Sequence, residues 1–124
     1  MKHIILVSLG AALGANLRFF LYNKIGKLKI AKDVTILIIN TVSSFFLGLF
    51  LSALPKLSSV NFSYELVLFF LIGFLGSLST FSTFIYDLFD LCMNFKFFRA
   101  LNLLTISISC GIFALAFGFL LGNQ

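Results

Sequence analysis

Residues 73–84 read GFLGSLSTFSTF and lie in the middle of an apolar stretch that runs from about Tyr64 to Met93. Seven of these twelve residues are Gly, Ser or Thr. The stretch is also longer than the roughly 20 residues that cross the hydrocarbon core of a membrane. Membrane helices tolerate interruptions where the freed backbone groups contact protein, water or an ion, so we predict a helix break at residues 76–80. Its carbonyl oxygens form a candidate cation site, and close helix packing by small residues is the alternative.

The rest of the chain is equally apolar. Of its 124 residues, 60% are hydrophobic and 10% are charged. A soluble domain of this size has too little interior to bury so much apolar side chain, so membrane lipid is the expected solvent. We predict one all-α integral membrane domain with four transmembrane helices, at about residues 4–22, 34–54, 64–93 and 97–121. The first is interpreted as a retained helix rather than a cleaved signal peptide, because further apolar stretches follow it.

The formal net charge of +5 is placed between the apolar stretches. No nucleic-acid motif accompanies it, so nucleic acid is excluded as a partner. Most basic residues lie in the first and third connections, which the positive-inside rule assigns to the cytoplasm. These residues are Lys24, Lys27, Lys29, Lys32, Lys96 and Arg99. No catalytic triad, carboxylate pair or phosphate loop is found, so the chain is not expected to be an enzyme.

Two polar side chains lie inside predicted spans. Arg18, in the first span, either extends to the membrane interface or provides a positive field at the mouth of an anion path. Asn40, in the second span, either joins two helices by a hydrogen bond or donates to a partly dehydrated anion.

Phe81 and Phe84 follow the predicted break and, being three residues apart, share one helix face. Phenylalanine in a membrane helix ordinarily faces lipid. However, aromatic ring edges carry partial positive charge and could contact a small anion. The hydroxyl groups of Thr83 and Ser107 could add donors, although bonding to a carbonyl of the preceding turn is their default use.

Five glycines are spaced so that helices can approach closely, and we interpret them as packing residues. They are Gly10, Gly14, Gly48, Gly111 and Gly118.

Three segments together resemble the signatures of the CrcB/Fluc family of fluoride channels. They are GAALGANLR at residues 10–18, TILIIN at 35–40 followed by Gly48, and GFLGSLSTFSTF at 73–84. The resemblance covers the whole chain, and its most specific element is the Thr-Phe-Ser-Thr-Phe run. It implies an antiparallel, dual-topology dimer with two narrow fluoride pores and a structural Na⁺ at its centre.

The resemblance also implies roles for individual residues. The Na⁺ would be held by backbone carbonyls at Gly76 and Ser79, the latter standing where the family usually has Thr. For the fluoride pathway it implies Phe81, Phe84, Asn40, Ser107 and Arg18, and we add Thr83 to these as a candidate hydroxyl donor.

The function implied is passive, selective export of fluoride across a prokaryotic cell membrane, with fluoride and membrane lipid as partners. A homodimer is favoured, and a heterodimer with a related chain, as a subunit of a heteromeric fluoride channel, is the alternative. A small multidrug-type exporter, another four-helix dual-topology dimer, would need a carboxylate in the first span, where this chain has none. A non-transporting subunit of a membrane complex is a third possibility.

Overall fold

The computed structural model describes residues 1–27, 31–57 and 64–124. The long helices are α1 (Lys2–Gly26), α2 (Lys32–Leu57) and α5 (Phe97–Asn123). Between α2 and α5 lie α3, at residues 64–78, and α4 (Phe81–Met93). Lys29 of the first basic connection and residues 58–63 of the second connection lie outside the described residues.

Within the described residues, four segments are long and apolar enough to cross a membrane. They are Lys2–Gly26, Lys32–Lys56, Tyr64–Met93 and Phe97–Asn123. The prediction of an all-helical chain with four such segments is therefore confirmed. The physical reason is that backbone groups in lipid must be hydrogen-bonded within their own segment, which an α-helix achieves.

Helices α1 and α3 pack in close contact through glycines. A Cβ atom at Gly10 would collide with the carbonyl oxygen of Phe69, and one at Gly14 would collide with that of Phe74. Gly73 of α3 faces Gly10 of α1, so that neither helix presents a side chain at their crossing. Small residues at such crossings let the backbones approach, as is usual in membrane helices.

Helices α2 and α5 form the other close pair, and they are in contact along much of their length. Gly48 of α2 faces the carbonyl oxygen of Leu115, and Gly118 of α5 faces that of Phe45. The packing interpretation was wrong for Gly111, where the nearest atom to an added Cβ would be 3.7 Å away, which is ordinary van der Waals contact.

The third span departs from regular α-helical geometry. Val67–Leu75 form a π-helix, Gly76–Leu78 form an α-helical turn, and Ser79 and Thr80 then have extended backbone angles (ψ 146° and 120°) before α4 begins. We call residues 79–80 the α3–α4 junction. The prediction of an unwound segment at residues 76–80 was wrong for Gly76, whose φ of −62° and ψ of −32° are helical.

Local hydrogen bonds explain why the Gly- and Ser-rich turn stays helical. The backbone N–H of Ser79 donates to the carbonyl of Leu75 at 3.1 Å, and the Ser79 hydroxyl donates to the same oxygen. The Ser77 hydroxyl likewise donates to the carbonyl of Phe74. These serines satisfy the carbonyls of the preceding turn, and regular helix geometry ends only after Leu78.

The buried core lies between the two glycine-packed helix pairs. Ile39 of α2 packs against Leu75 and Leu78 at the end of α3, and all three are nearly fully buried. This contact brings the α3–α4 junction against the middle of α2, where Asn40 lies.

Candidate functional site

Asn40 joins α2 to the α3–α4 junction through two hydrogen bonds. Its Oδ1 accepts from the backbone N–H of Thr80 at 3.0 Å, and its Nδ2 donates to the carbonyl oxygen of Thr80 at 3.3 Å. A side-chain amide can do both because it carries an acceptor oxygen and two N–H donors. Thr80 has extended angles, so its backbone groups need partners outside the helix, and Asn40 supplies them. One N–H of Asn40 remains for another acceptor.

The first turn of α4 carries a group of hydroxyls. The Thr80 hydroxyl lies 3.3 Å from those of Ser82 and Thr83, and no side chain caps the N-terminus of α4. No acidic residue lies in this turn. The unpaired N–H groups of a helix N-terminus carry a partial positive charge, so this end of α4 is electropositive.

Four of the predicted pore residues line one cavity of about 250 Å³. They are Asn40, Phe81, Phe84 and Ser107, and the remaining lining residues are Ser44, Leu104, Ile108 and Gly111. The cavity lies between α2, α4 and α5, and we call it the phenylalanine cavity. The cavity is open on one side, where Phe81 is 76% exposed.

Ser107 provides a hydroxyl group to this cavity. Its Oγ is buried and has no hydrogen-bond partner among the described residues. A buried hydroxyl without a partner costs free energy, on the order of 1–3 kcal/mol. The group is therefore a ready donor for a ligand that enters the phenylalanine cavity.

Arg18 and Thr83 lie at a different place. They line a second cavity of about 300 Å³ together with Thr80, in a crevice between α1, α2 and α4 whose other walls are mostly apolar. Arg18 is half-buried and forms no ion pair with any described carboxylate. The structure therefore does not place Thr83 in the phenylalanine cavity with Phe81 and Phe84.

Gly76 and Ser79 line a third, smaller cavity of about 100 Å³ with Ser43 and Ser44. The polar groups of these residues are backbone groups and serine hydroxyls, and carbonyl and hydroxyl oxygens are hard donors of the kind that small hard cations prefer. No group of His, Cys, Asp or Glu that could hold a metal occurs in the part of the chain that the structure describes. Ser44 also lines the phenylalanine cavity, so the two cavities are neighbours.

Charged side chains collect at the end of the bundle where α2 and α5 begin. Arg99 Nη2 lies 3.0 Å from Asp33 Oδ2, which joins the N-terminal ends of these two helices. Asp33 and Arg99 line a cavity of about 340 Å³, and Asp87, Lys32 and Lys96 line it as well. Asp87 Oδ2 is buried there without a hydrogen-bond partner in the described residues.

Sequence reasoning missed Ser44 and the role of Thr80. Ser44 follows Asn40 by four residues, so it lies on the same face of α2, and this spacing could have identified it. No sequence signal indicates that Thr80 is the partner of Asn40, because the two residues are 40 positions apart.

Comparison with known proteins gives a consistent picture. The family model described as "CrcB-like protein, Camphor Resistance (CrcB)" matches residues 5–119. A protein of Prochlorococcus marinus (strain NATL2A) named fluoride-specific ion channel FluC 2 is 57% identical over 124 residues, the full length of both chains. Fluoride-specific ion channel FluC of Ignicoccus hospitalis is 35% identical over 118 residues, or 95% of this chain and 93% of the relative. That of Hydrogenovibrio crunogenus is 30% identical over 98% of this chain and 91% of the relative.

Proposed function

The chain belongs to the CrcB-like family, and from this membership and the geometry of the site we propose that it is a fluoride-selective channel. The family assignment made from the sequence is thereby confirmed. So is the prediction that the chain is not an enzyme, since the relatives are named as ion channels. Fluoride leaves the cell passively through this channel, which lowers the cytoplasmic fluoride concentration.

The observation that carries the proposal is the meeting of Asn40, Ser107, Phe81 and Phe84 in one cavity. Fluoride is small and strongly hydrated, so a pathway must replace its water with other donors without binding it too tightly. Asn40 has a second N–H, and the Ser107 hydroxyl is free to donate. The ring edges of Phe81 and Phe84 add weak positive potential, which favours passage over trapping.

Electrostatics favour an anion at this site. The N-terminus of α4 lies beside the cavity and carries no acidic residue in its first turn. Arg18, in the adjoining part of the fold, increases the local concentration of anions. A membrane potential that is negative inside drives an anion outward by about 2.3 kcal/mol per 100 mV, so no energy source beyond the potential is needed.

The open side of the phenylalanine cavity supports assembly as an antiparallel dimer. A ring as exposed as that of Phe81 cannot enclose an ion by itself, and a second copy would complete the wall. We propose a homodimer, with pairing to a related chain as the alternative. Inverted pairing fits an even number of spans, as with the inverted repeats of larger transporters.

A structural Na⁺ at the dimer centre fits the oxygen atoms around Gly76 and Ser79. One chain contributes too few carbonyls to surround a cation, so the partner chain would have to supply the others. When bound, Na⁺ would neutralise carbonyl dipoles and hold the two junctions together. Removal of Na⁺ by exchange for a large organic cation is expected to lower the thermal stability of the dimer.

As a multi-pass membrane protein, the chain is placed by this proposal in the plasma membrane of a prokaryotic cell. The basic residues of the first and third connections would set its orientation there. The multidrug exporter remains the weaker candidate, since α1 has no carboxylate to exchange protons for a cationic drug.

The direct test is fluoride efflux from proteoliposomes, followed with a fluoride electrode. Wild type should release fluoride and retain chloride. Phe81→Ile and Phe84→Ile should each lose transport by about 100-fold or more, because the ring edges are removed at nearly the same bulk, a loss that corresponds to about 2.7 kcal/mol on the barrier.

Phe98→Ile is the matched control, because Phe98 is 86% exposed and lies away from the phenylalanine cavity. It should transport fluoride like wild type. Equal fluxes of fluoride and chloride, or no fluoride flux from correctly folded wild type, would contradict the proposal.

A further inference from the structure

Another cavity lies away from the phenylalanine cavity, where the C-terminal end of α1 faces the N-terminal end of α2. It has a volume of about 620 Å³. Among the described residues it is lined by Tyr22, Asn23, Gly26, Lys27, Lys32 and Thr35. We call it the lysine cavity, and we propose that it binds the phosphate group of an anionic phospholipid.

The lining of the lysine cavity is suited to an anion. Lys27 and Lys32 supply two ammonium groups, and Tyr22 and Asn23 add a hydroxyl and an amide. No carboxylate is among the described lining residues, and neither lysine has an ion-pair partner in the described part of the chain. Lys32 also lines the neighbouring cavity that contains Asp33, Asp87 and Asp90, where Asp33 is engaged by Arg99 and no described carboxylate is ion-paired with Lys32. Two unpaired cations beside an open volume attract an anion, and ammonium groups are common partners of phosphate.

The position of the cavity favours a lipid phosphate over a free one. Its lining residues run from Tyr22, where the first apolar stretch ends, to Thr35, one residue after the second begins at Val34, which is the level of the headgroups. One turn below, Phe19 and Phe20 are 69% and 58% exposed, as expected for side chains beside acyl chains.

Gly26 provides room rather than packing. A Cβ atom added to Gly26 would meet no atom of the described residues within 4 Å, in contrast to the glycines at the helix crossings. Because Gly26 lines the lysine cavity, a larger side chain there is expected to occupy part of the cavity without colliding with a described residue. This offers a way to block the cavity while both lysines remain.

The test measures lipid binding to the full-length protein in its assembled form, by native mass spectrometry with phosphatidylglycerol or phosphatidylcholine. Both lipids carry a phosphate, but the choline cation is repelled by the lysines, so wild type should bind phosphatidylglycerol more tightly. The double variant Lys27→Gln/Lys32→Gln should weaken that binding by about 25-fold, or about fivefold for each lysine. Gly26→Leu should weaken it as well.

The matched control is Lys24→Gln/Lys96→Gln, which removes the same charge from the same end of the bundle but leaves the lysine cavity intact. It should bind phosphatidylglycerol within about twofold of wild type, since only screened surface charge is lost. Equal losses in the two double variants would show diffuse attraction to the charged face and would overturn the proposal. Wild type binding both lipids equally would also overturn it.

A competition arm separates the two sources of phosphate. Inorganic phosphate should not displace phosphatidylglycerol, because the free ion makes no contact beside Phe19 and Phe20. Displacement by millimolar phosphate would assign the site to the free ion and refute the lipid. None of these measurements involves fluoride flux, so the result stands apart from the proposed channel function.

Discussion

The helix crossings and the α3–α4 junction are built in opposite ways. At the crossings, glycine backbones lie against carbonyl oxygens with no room for a methyl group, as at Gly48 and Gly118. Around the junction, the chain leaves cavities, an unpartnered hydroxyl at Ser107 and an aromatic ring at Phe81 that is largely exposed.

This contrast follows from the solvent. Lipid gives helices no hydrophobic reason to associate, so association depends on close backbone packing. The crossings hold the helices together, and the junction can therefore remain loosely packed with polar groups available to an ion. Substitutions at the crossings should then affect folding, while substitutions of Phe81, Phe84 and Ser107 should affect transport more than folding.

The largest expected effect is at the crossing of α2 and α5. Gly48→Ala and Gly118→Ala should each destabilise the protein by about 3 kcal/mol, because the added Cβ would collide with a carbonyl oxygen and the backbones must separate. Gly111→Ala is the control on the same helix pair, where the added Cβ would make only ordinary van der Waals contact. It should be neutral or stabilising by about 1 kcal/mol through helix propensity.

The measurement is the fraction of monodisperse protein that remains after heating, assayed by size-exclusion chromatography in detergent. If Gly48→Ala and Gly111→Ala unfolded at the same temperature, the crossing would not be the rigid part of the molecule.

Sequence analysis was sufficient for the parts of the fold that depend on composition and spacing. Four apolar stretches predict four helices, and the close packing at Gly10, Gly14, Gly48 and Gly118 followed from small residues in membrane spans. It failed at Gly76–Leu78, where many Gly and Ser residues were interpreted as an unwound segment. The composition cannot distinguish an unwound turn from a helical one in which serine hydroxyls bond to preceding carbonyls.

The second prediction concerns Asn40, which connects the rigid and the open regions. Asn40→Ala should destabilise the protein by about 2 kcal/mol, because the buried N–H and carbonyl of Thr80 lose their partners. The same variant should reduce fluoride flux. Asn16→Ala is the control, since the Asn16 amide donates to the carbonyl of Ala12 in its own exposed helix turn and has no hydrogen bond to another helix among the described residues. It should change stability by less than about 0.5 kcal/mol.

Thermal unfolding and efflux should be measured on the same preparations. Asn40→Asp keeps the acceptor for the Thr80 N–H but loses the donor. Because its carboxylate would also repel an anion, a variant that folds like wild type and yet does not transport would place residue 40 on the fluoride pathway. If Asn40→Ala were as stable as Asn16→Ala, the two hydrogen bonds to Thr80 would not hold the junction.

The candidate site was only partly predictable from the sequence, because part of it depends on contacts between distant residues. Residue type and family signature identified Phe81, Phe84 and Ser107, and these share a cavity with Asn40. The partner of Asn40 depends on how α2 meets the junction, which is a long-range contact that no local pattern encodes. Thr83 was grouped with Phe81 by sequence proximity, but residues two positions apart on a helix point in different directions, and Thr83 lines the crevice with Arg18 instead.

The smallest expected effect is at the ion pair between Asp33 and Arg99, which joins the same two helices as Gly48 and Gly118. A double-mutant cycle with Asp33→Asn and Arg99→Gln should give a coupling energy of about 0.5 kcal/mol, and added salt should reduce it. The coupling is small because the Arg99 side chain is 56% exposed, so water screens the charges and competes for the same hydrogen bonds. Unfolding temperatures of the four proteins at low and high salt provide the measurement.

A coupling above about 2 kcal/mol that salt does not weaken would mean that the pair is dehydrated in the assembled protein. The charged end of the bundle would then contribute to stability on a scale comparable to the glycine crossing. The contrast between the tightly packed crossings and the loosely packed junction would not extend to that end.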